Sequence, residues 1–240
     1  MLGALGVLAS CALDWDLPGN VGAAGDAGNS GSSWCSGQGA HQLCEDFDEF
    51  TSVTQVGTST WSEGVVSLDT QDWRSPPNSF LGQTPPQSNN VYAQAAAKWA
   101  WSGRVTQAHL AFDAKIETAD LTDWGDLLQI AFGTAYTLNL TYNDIGTNEV
   151  FVREASPSQD YRHDSHAFAF GTSWVHITVD LVAGSTMTVT YSLDGQPFGP
   201  ETLLAGWEAD VPSLAVGVIG SNGQTTGWAI AVDNVVFDSQ

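Results

Sequence analysis

Alternation of apolar and polar residues at every second position is the feature that most constrains this chain. Between residues 108 and 116, Leu110, Phe112, Ala114 and Ile116 share one face of an extended segment. Residues 175–181 and 187–193 repeat this pattern. Because a strand with one apolar face has to bury that face against another layer, these segments predict packed sheets rather than helices.

Further short runs of strand-forming residues follow one another, with Pro, Gly, Asn and Asp between them. They occupy residues 127–132, 137–142, 149–153, 214–219 and 228–237. Residues 93–101 fit either a strand or a helix. About a dozen short strands with turn signals between them favour an all-β fold, a two-sheet antiparallel jelly-roll sandwich.

Several segments of this sandwich resemble the concanavalin A-like lectin/glucanase superfamily, which includes laminin-G-like modules. The resemblance is carried by Cys44-Glu45-Asp46-Phe47-Asp48, by Trp174-Val175-His176-Ile177-Thr178-Val179, by Leu193-Asp194-Gly195, by Val216-Gly217-Val218-Ile219-Gly220 and by Val232-Asp233-Asn234-Val235. It covers residues 44–240. The resemblance implies a single domain, placed at residues 35–240, whose first and last strands lie side by side.

The catalytic motifs of this superfamily are missing. Laminarinase-type members carry Glu-x-Asp-x-x-Glu on one strand, whereas residues 45–49 and 208–210 of this chain have other spacings. Alginate-lyase-type members carry Gln-Ile-His, but here Ala131 follows Gln129-Ile130. His163 and His166, with Tyr161, Arg153 and Arg162, form a patch of acid–base groups around a predicted loop at residues 154–165, which is typical of a solvated connection. We therefore expect no enzyme, with a glycoside hydrolase or polysaccharide lyase of unrecognised type as the alternative.

A binding site requires a less specific set of residues than a catalytic site does. Aromatic rings and polar side chains together form carbohydrate sites, and the chain has ten tryptophans. Candidate glycan-binding residues are Trp124 and Trp207 in predicted loops, with Asp113, Gln129, Asn139 and Arg153 on the polar faces of strands. The sequence thus predicts a carbohydrate-binding or surface-interaction module, monomeric, with a neutral glycan or an envelope protein as its partner.

Charge and acidic residues bear on partners and cofactors. With 27 acidic and 6 basic residues the net charge is −21, which disfavours nucleic acid, anionic lipid and acidic polysaccharides. If the first and last strands pair, Asp46 or Asp48 would meet Asp233. Carboxylate oxygens are the ligands that calcium prefers, so the sequence predicts a structural calcium ion at Asp46 and Asp233 and no other cofactor.

The amino-terminal segment Leu8-Ala9-Ser10-Cys11 resembles the lipobox of bacterial lipoproteins. The resemblance implies a signal region at residues 1–10 and lipidation of Cys11, and the lack of a preceding Lys or Arg leaves a start further upstream open. Residues 11–34 are rich in Gly, Ala and Ser, and they predict a flexible tether. We expect an exported protein, lipid-anchored to the bacterial cell envelope, for which a purely structural role is a further alternative.

The remaining cysteines, Cys35 and Cys44, predict a disulfide at the start of the domain, as an exported compartment permits. A metal site formed with His41 is the competing interpretation, although it lacks a fourth ligand at recognisable spacing.

Overall fold

The computed structural model describes residues 33–87, 92–100, 105–120, 123–132, 136–143, 147–156, 159–183, 186–204, 212–221 and 225–240. Two short 3₁₀ helices, Trp34–Gly37 and Val53–Gln55, are the helices within these ranges. The strands are β1 Leu43–Glu45, β2 Thr58–Trp61, β3 Val65–Asp69, β4 Ser79–Thr84, β5 Ala93–Ala100, β6 Gln107–Thr118, β7 Trp124–Phe132, β8 Tyr136–Asn143, β9 Glu149–Ser156, β10 Gln159–Arg162, β11 His166–Ala167, β12 Val175–Ala183, β13 Met187–Leu193, β14 Gln196–Thr202, β15 Pro212–Ser221 and β16 Trp228–Ser239.

These strands form two antiparallel sheets. Sheet A has the order β14-β13-β12-β6-β16-β4-β3, and β1 also pairs with β16. Sheet B has the order β10-β9-β8-β7-β15-β5-β2, and β11 also pairs with β9. The expected two-sheet jelly-roll sandwich is confirmed, and so is the contact between the first and last strands, because Cys44 of β1 lies opposite Val236 of β16.

The core lies between the sheets and is built by the alternation seen in the sequence. In β12, Val175, Ile177, Val179 and Leu181 are buried, while the polar residues between them are partly or fully exposed. On sheet B, Leu128 and Ile130 of β7 and Leu138 and Leu140 of β8 face the same core. Burial of these apolar faces is the main stabilising contribution in such a sandwich.

Several segments that the sequence left open or predicted as loops form strands in the structure. Residues 93–100 form β5 rather than a helix. Trp124, which was expected in a loop, begins β7. The expected loop after residue 153 is also largely extended, since β9 continues to Ser156 and β10 follows. The hydrogen bonds of neighbouring strands, rather than local sequence, order these segments.

Cys35 and Cys44 form the expected disulfide, with their Cα atoms 5.7 Å apart. The pairing uses both thiols, so the alternative metal site with His41 is wrong. The imidazole of His41 instead contacts Asp238 near the end of β16, with a Nδ1 to Oδ2 distance of 2.7 Å. The disulfide therefore joins the first 3₁₀ helix to β1 beside the last strand.

The features predicted for the amino-terminal segment lie outside the described residues. These are the signal region at 1–10, Cys11 and nearly all of the tether. Within the described residues, neither helix has the length and hydropathy needed to cross a membrane.

Candidate functional site

A row of side chains crosses the outer face of sheet B, the face turned away from sheet A. Each member lies directly opposite the next in the strand register. We call this set the polar row, and it consists of Lys98 on β5, Ala215 on β15, Gln129 on β7, Asn139 on β8, Arg153 on β9 and Arg162 on β10. Residues opposite one another in antiparallel strands share a face, so these six side chains form one continuous line.

The polar row concentrates positive charge in an acidic protein. Three of the six Lys and Arg residues in the chain, Lys98, Arg153 and Arg162, belong to it. Two amides and a small alanine lie between Lys98 and Arg153. Because five inter-strand spacings separate its ends, the row extends for about 24 Å.

Arg153 is held at the centre of several contacts. Its Nη2 lies 2.5 Å from Oδ2 of Asp126, and its Nη1 lies 3.3 Å from Oδ2 of Asp160. The guanidinium also lies 4.4 Å above the ring of Trp124, which is a cation–π contact. These contacts fix the direction of the guanidinium and leave its side chain 17% exposed.

Asp126 is the buried partner of this arginine. Its Oδ1 accepts a hydrogen bond from the Thr141 hydroxyl at 2.5 Å. Burial raises the pKa of Asp126 to about 6, although Arg153 and Thr141 act in the opposite direction. A buried carboxyl with a perturbed pKa beside a cation is a frequent feature of functional sites, and here it positions Arg153.

The amides of the polar row are connected to each other. Gln129 Nε2 donates to Oδ1 of Asn139 at 3.0 Å, and Asn139 Nδ2 donates to the Thr137 hydroxyl at 3.4 Å. Gln129, Asn139 and Arg153 were all candidates from the sequence, and the structure brings them together on three neighbouring strands. Gln129 and Arg153 are partly exposed and offer N–H donors at one level of the sheet, which suits a carboxylate, whereas Asn139 is buried between them.

Aromatic side chains extend this surface. The ring of Tyr92 lies 5.9 Å from that of the candidate Trp124, and Tyr92 is 54% exposed. Sequence analysis did not select Tyr92, because the turn residues before β5 gave no signal for its face. The register of β5 could have indicated it, since Gln94 and Lys98 point to the same outer face.

The other glycan-binding candidates are not part of this surface. Asp113 lies on β6 of sheet A, where Oδ1 is 3.0 Å from His176 Nδ1 and Oδ2 accepts a hydrogen bond from Asn234. Alternation correctly identified its polar face but could not assign it to a sheet. Trp207 lies outside the described residues.

The histidines of the predicted patch, His163 and His166, are separate from the polar row, whereas its arginines, Arg153 and Arg162, belong to the row. His163 is buried, and its Nε2 lies 2.6 Å from Oε1 of Glu154. His166 packs against Phe198 of sheet A, with ring centroids 4.8 Å apart. The two histidines thus lie on the inner side of sheet B, whereas Arg153 faces outward.

The predicted calcium ligands have different surroundings. Asp46 lies with Glu45 and Glu49, and carboxylate oxygens of the three are within 4.8 Å of one another. Burial and the neighbouring Glu49 raise the pKa of Glu45 to about 8. Asp233 instead accepts hydrogen bonds from the backbone N–H groups of Arg74 and Ser75 at 2.8 Å. The acidic oxygens around Asp46 suit a hard cation, and calcium there stays a prediction.

The fold matches solved structures that include polysaccharide lyases. An endo-β-1,4-glucuronan lyase from the fungus Trichoderma reesei has a TM-score of 0.60 at 10% identity, over 84% of this chain and 96% of that chain. A cellulose-induced protein, Cip1, gives 0.59 at 14% identity, over 83% and 98%. The alginate lyase Aly36B, solved with an alginate trisaccharide, gives 0.50 at 11% identity, over 82% and 98%. No protein-family model and no curated protein matches the sequence.

These matches define the class of fold as the jelly-roll sandwich found in polysaccharide lyases, consistent with the concanavalin A-like resemblance. They also correct one expectation. The sequence favoured a non-catalytic lectin-like module, whereas the matching structures include lyases for glucuronan and alginate. The preference for a non-enzymatic module, which depended on the absence of two short motifs, is therefore wrong.

Proposed function

We propose that this protein is a polysaccharide lyase that cleaves a uronic-acid-containing polysaccharide by β-elimination on the outer face of sheet B. The observation that carries the proposal is the polar row, which places Gln129, Asn139 and Arg153 side by side on β7, β8 and β9. The glucuronan and alginate lyases that share the fold support the choice of reaction class.

The polar row supplies what the first step of elimination requires. Removing the C5 proton of a uronate is difficult while its carboxylate is ionised, because negative charge then accumulates on the same group. Arg153 and the amide of Gln129 would donate hydrogen bonds to that carboxylate and stabilise the developing enolate, while the buried Asn139 orients the Gln129 amide. Asp126 and Trp124 hold the guanidinium in place and are positioning residues.

Tyr92 is the candidate for proton transfer. Its ring contacts Trp124, which in turn lies under Arg153, so its hydroxyl belongs to the same surface. Tyr92, acting as its phenolate, takes the C5 proton, the electron pair forms the C4–C5 double bond, and the C4–O4 bond breaks. The departing O4 receives a proton, which the same phenol can return.

The interaction of an acidic protein with an acidic polymer depends on the groups nearest to it. The net charge of −21 repels a polyanion at long range, and on that ground acidic sugars were disfavoured. At physiological salt, charges more than about 8 Å apart are largely screened, so the groups on the outer face of sheet B decide the local interaction. Lys98, Arg153 and Arg162 lie there, and Asp126, Asp160 and Glu149 pair with the two arginines. Contact with a uronate therefore depends on the positioned N–H donors of Gln129 and Arg153.

The proposal is tested by incubating the purified domain with glucuronan, alginate and a neutral β-glucan. We expect ultraviolet absorbance from unsaturated sugar ends with a uronate polymer and none with β-glucan. Arg153→Ala should lower kcat/KM by about 10²- to 10³-fold, as expected for losing one main charge-stabilising donor. Tyr92→Phe, which keeps the ring but removes the hydroxyl, should lower kcat by about 10²-fold or more.

Tyr161→Phe is the matched control, since Tyr161 is also exposed but pairs with Glu154 on the inner side of sheet B. New reducing ends without unsaturated products would identify a hydrolase instead. Absence of any product from all three polymers would contradict the proposal.

A further inference from the structure

Trp61 is the most exposed large apolar side chain in the described part of the chain, with 69% of its surface exposed. It ends β2, the edge strand of sheet B, and lies directly opposite Gln94 of β5. The register therefore places the indole on the same outer face as the polar row. An exposed indole on a polar face is a typical platform for the apolar side of a sugar ring.

Trp61 is continuous with the proposed cleavage site. Tyr92 precedes Gln94 by two residues and contacts Trp124 at 5.9 Å, and Trp124 lies under Arg153 at 4.4 Å. An aromatic line thus leads from the sheet edge to the polar row. Because three inter-strand spacings separate β2 from β7, Trp61 and Trp124 at the two ends of this line are about 14 Å apart, which is longer than one sugar ring.

The backbone around Trp61 is held firmly against its neighbour. Gly64, in the turn after β2, donates its N–H to the Trp61 carbonyl at 3.1 Å. A Cβ atom at Gly64 would lie 1.8 Å from the Gln94 carbonyl oxygen, so the turn packs directly on β5. Close packing of this kind preorganises a binding residue and lowers the entropy that is lost on binding.

We propose that Trp61 is a distal binding platform for the polysaccharide chain that the polar row cleaves. This inference rests on the proposed function and deepens it. The platform stacks on a sugar ring several positions away from the cleaved bond. Long chains reach both Trp61 and Arg153, whereas short oligosaccharides held at the polar row do not, so the platform gives the enzyme a preference for polymers.

The test compares Trp61→Ala with the wild type on the preferred uronate polymer and on its trisaccharide. Losing one stacked ring, at about 1 kcal/mol, should lower the ratio of kcat/KM for polymer to that for trisaccharide about fivefold. Trp73→Ala is the matched control, because Trp73 is an exposed tryptophan two residues before Ser75, which binds Asp233 of sheet A. This control should keep the wild-type ratio.

An unchanged ratio in Trp61→Ala, or an equal loss in Trp73→Ala, would overturn the platform while leaving the lyase proposal intact. If the wild type forms no unsaturated product, the lyase proposal fails and affinity electrophoresis decides the platform separately. Gels containing glucuronan or alginate should then retard the wild type and Trp73→Ala more than Trp61→Ala. Equal migration of all three proteins would overturn the platform as well.

Discussion

At the scale of single residues, Asp126 links the stability of the protein to the geometry of its site. Its carboxyl lies under Arg153 and accepts from Thr141, yet burial still raises its pKa to about 6. In the unfolded chain the same group has a pKa near 3.8. The folded protein therefore binds this proton more tightly, and the free energy of unfolding should fall as pH rises from about 4 to about 6.

Asp126→Asn removes this titration. The free energy of unfolding of the wild type, minus that of the variant, should fall by about 2–3 kcal/mol between about pH 4 and pH 6 and stay constant above that range. Denaturant unfolding at a series of pH values measures it. Asp160→Asn is the matched control, since Asp160 binds the same arginine but its side chain is 62% exposed. If the free energies of unfolding of the wild type and Asp126→Asn change with pH in parallel, Asp126 does not titrate in this way.

Single residues also show what a sequence can and cannot indicate about the site. Gln129, Asn139 and Arg153 share a face because alternation indicates which side of a strand a residue occupies. Asp113 obeys the same rule but lies on the other sheet, since alternation does not specify strand order. Lys98 and Arg162 were not selected, because their alignment with Arg153 depends on the register of five strand pairs.

At the scale of elements, β1 is a three-residue strand that depends on its neighbours. It pairs with β16 through Leu43, Cys44 and Glu45, and the disulfide joins Cys44 to the 3₁₀ helix Trp34–Gly37. Closing this short loop reduces the conformational freedom of the unfolded chain.

Replacing both cysteines by serine, or reducing the disulfide, should lower the free energy of unfolding by about 2–3 kcal/mol. Denaturant unfolding with and without reductant measures the effect, and the serine variant should not respond to reductant. Two titratable thiols from Cys35 and Cys44 in denatured protein from an oxidising compartment would contradict the pairing.

The turn after β1 gathers the acidic oxygens of Glu45, Asp46 and Glu49. A divalent cation would offset the repulsion among them. We expect calcium at a hundredfold excess over its Kd to raise Tm by about 5–10 °C, and a chelator to reverse the shift. Asp46→Asn should abolish the response, whereas Asp164→Asn, an exposed acid elsewhere, should keep it. Identical melting curves with calcium and chelator would contradict a calcium site.

Elements also differ in how far sequence alone predicts them. β6, β12 and β13 follow strict alternation and were identified directly. β2 and β10 are four-residue edge strands whose residues are largely exposed, so no apolar face marked them in the sequence. Their strand conformation comes from pairing with β5 and β9, which is information that lies elsewhere in the chain.

At the scale of the whole molecule, the basic residues of the described strands are distributed unequally over the two sheets. The chain carries 27 acidic residues, yet half of its six cations line the outer face of sheet B. A net charge indicates solubility and long-range repulsion, but it does not specify the potential at one face. The net charge therefore disfavours an acidic polysaccharide at long range without specifying which groups it would meet on the outer face of sheet B.

Attachment to a membrane is the remaining property of the whole molecule that the sequence predicts. Lipidation requires the Cys11 thiol, so Cys11→Ser, expressed with a complete export signal, should move the protein from the membrane fraction to the soluble fraction. The Cys35→Ser/Cys44→Ser variant is the control and should stay with membranes, because it keeps the lipidated residue. A single lipid chain binds membranes only weakly, so multiple acylation is needed for stable retention. Unchanged fractionation of Cys11→Ser, or an unmodified Cys11 by mass spectrometry of the wild type, would eliminate the anchor.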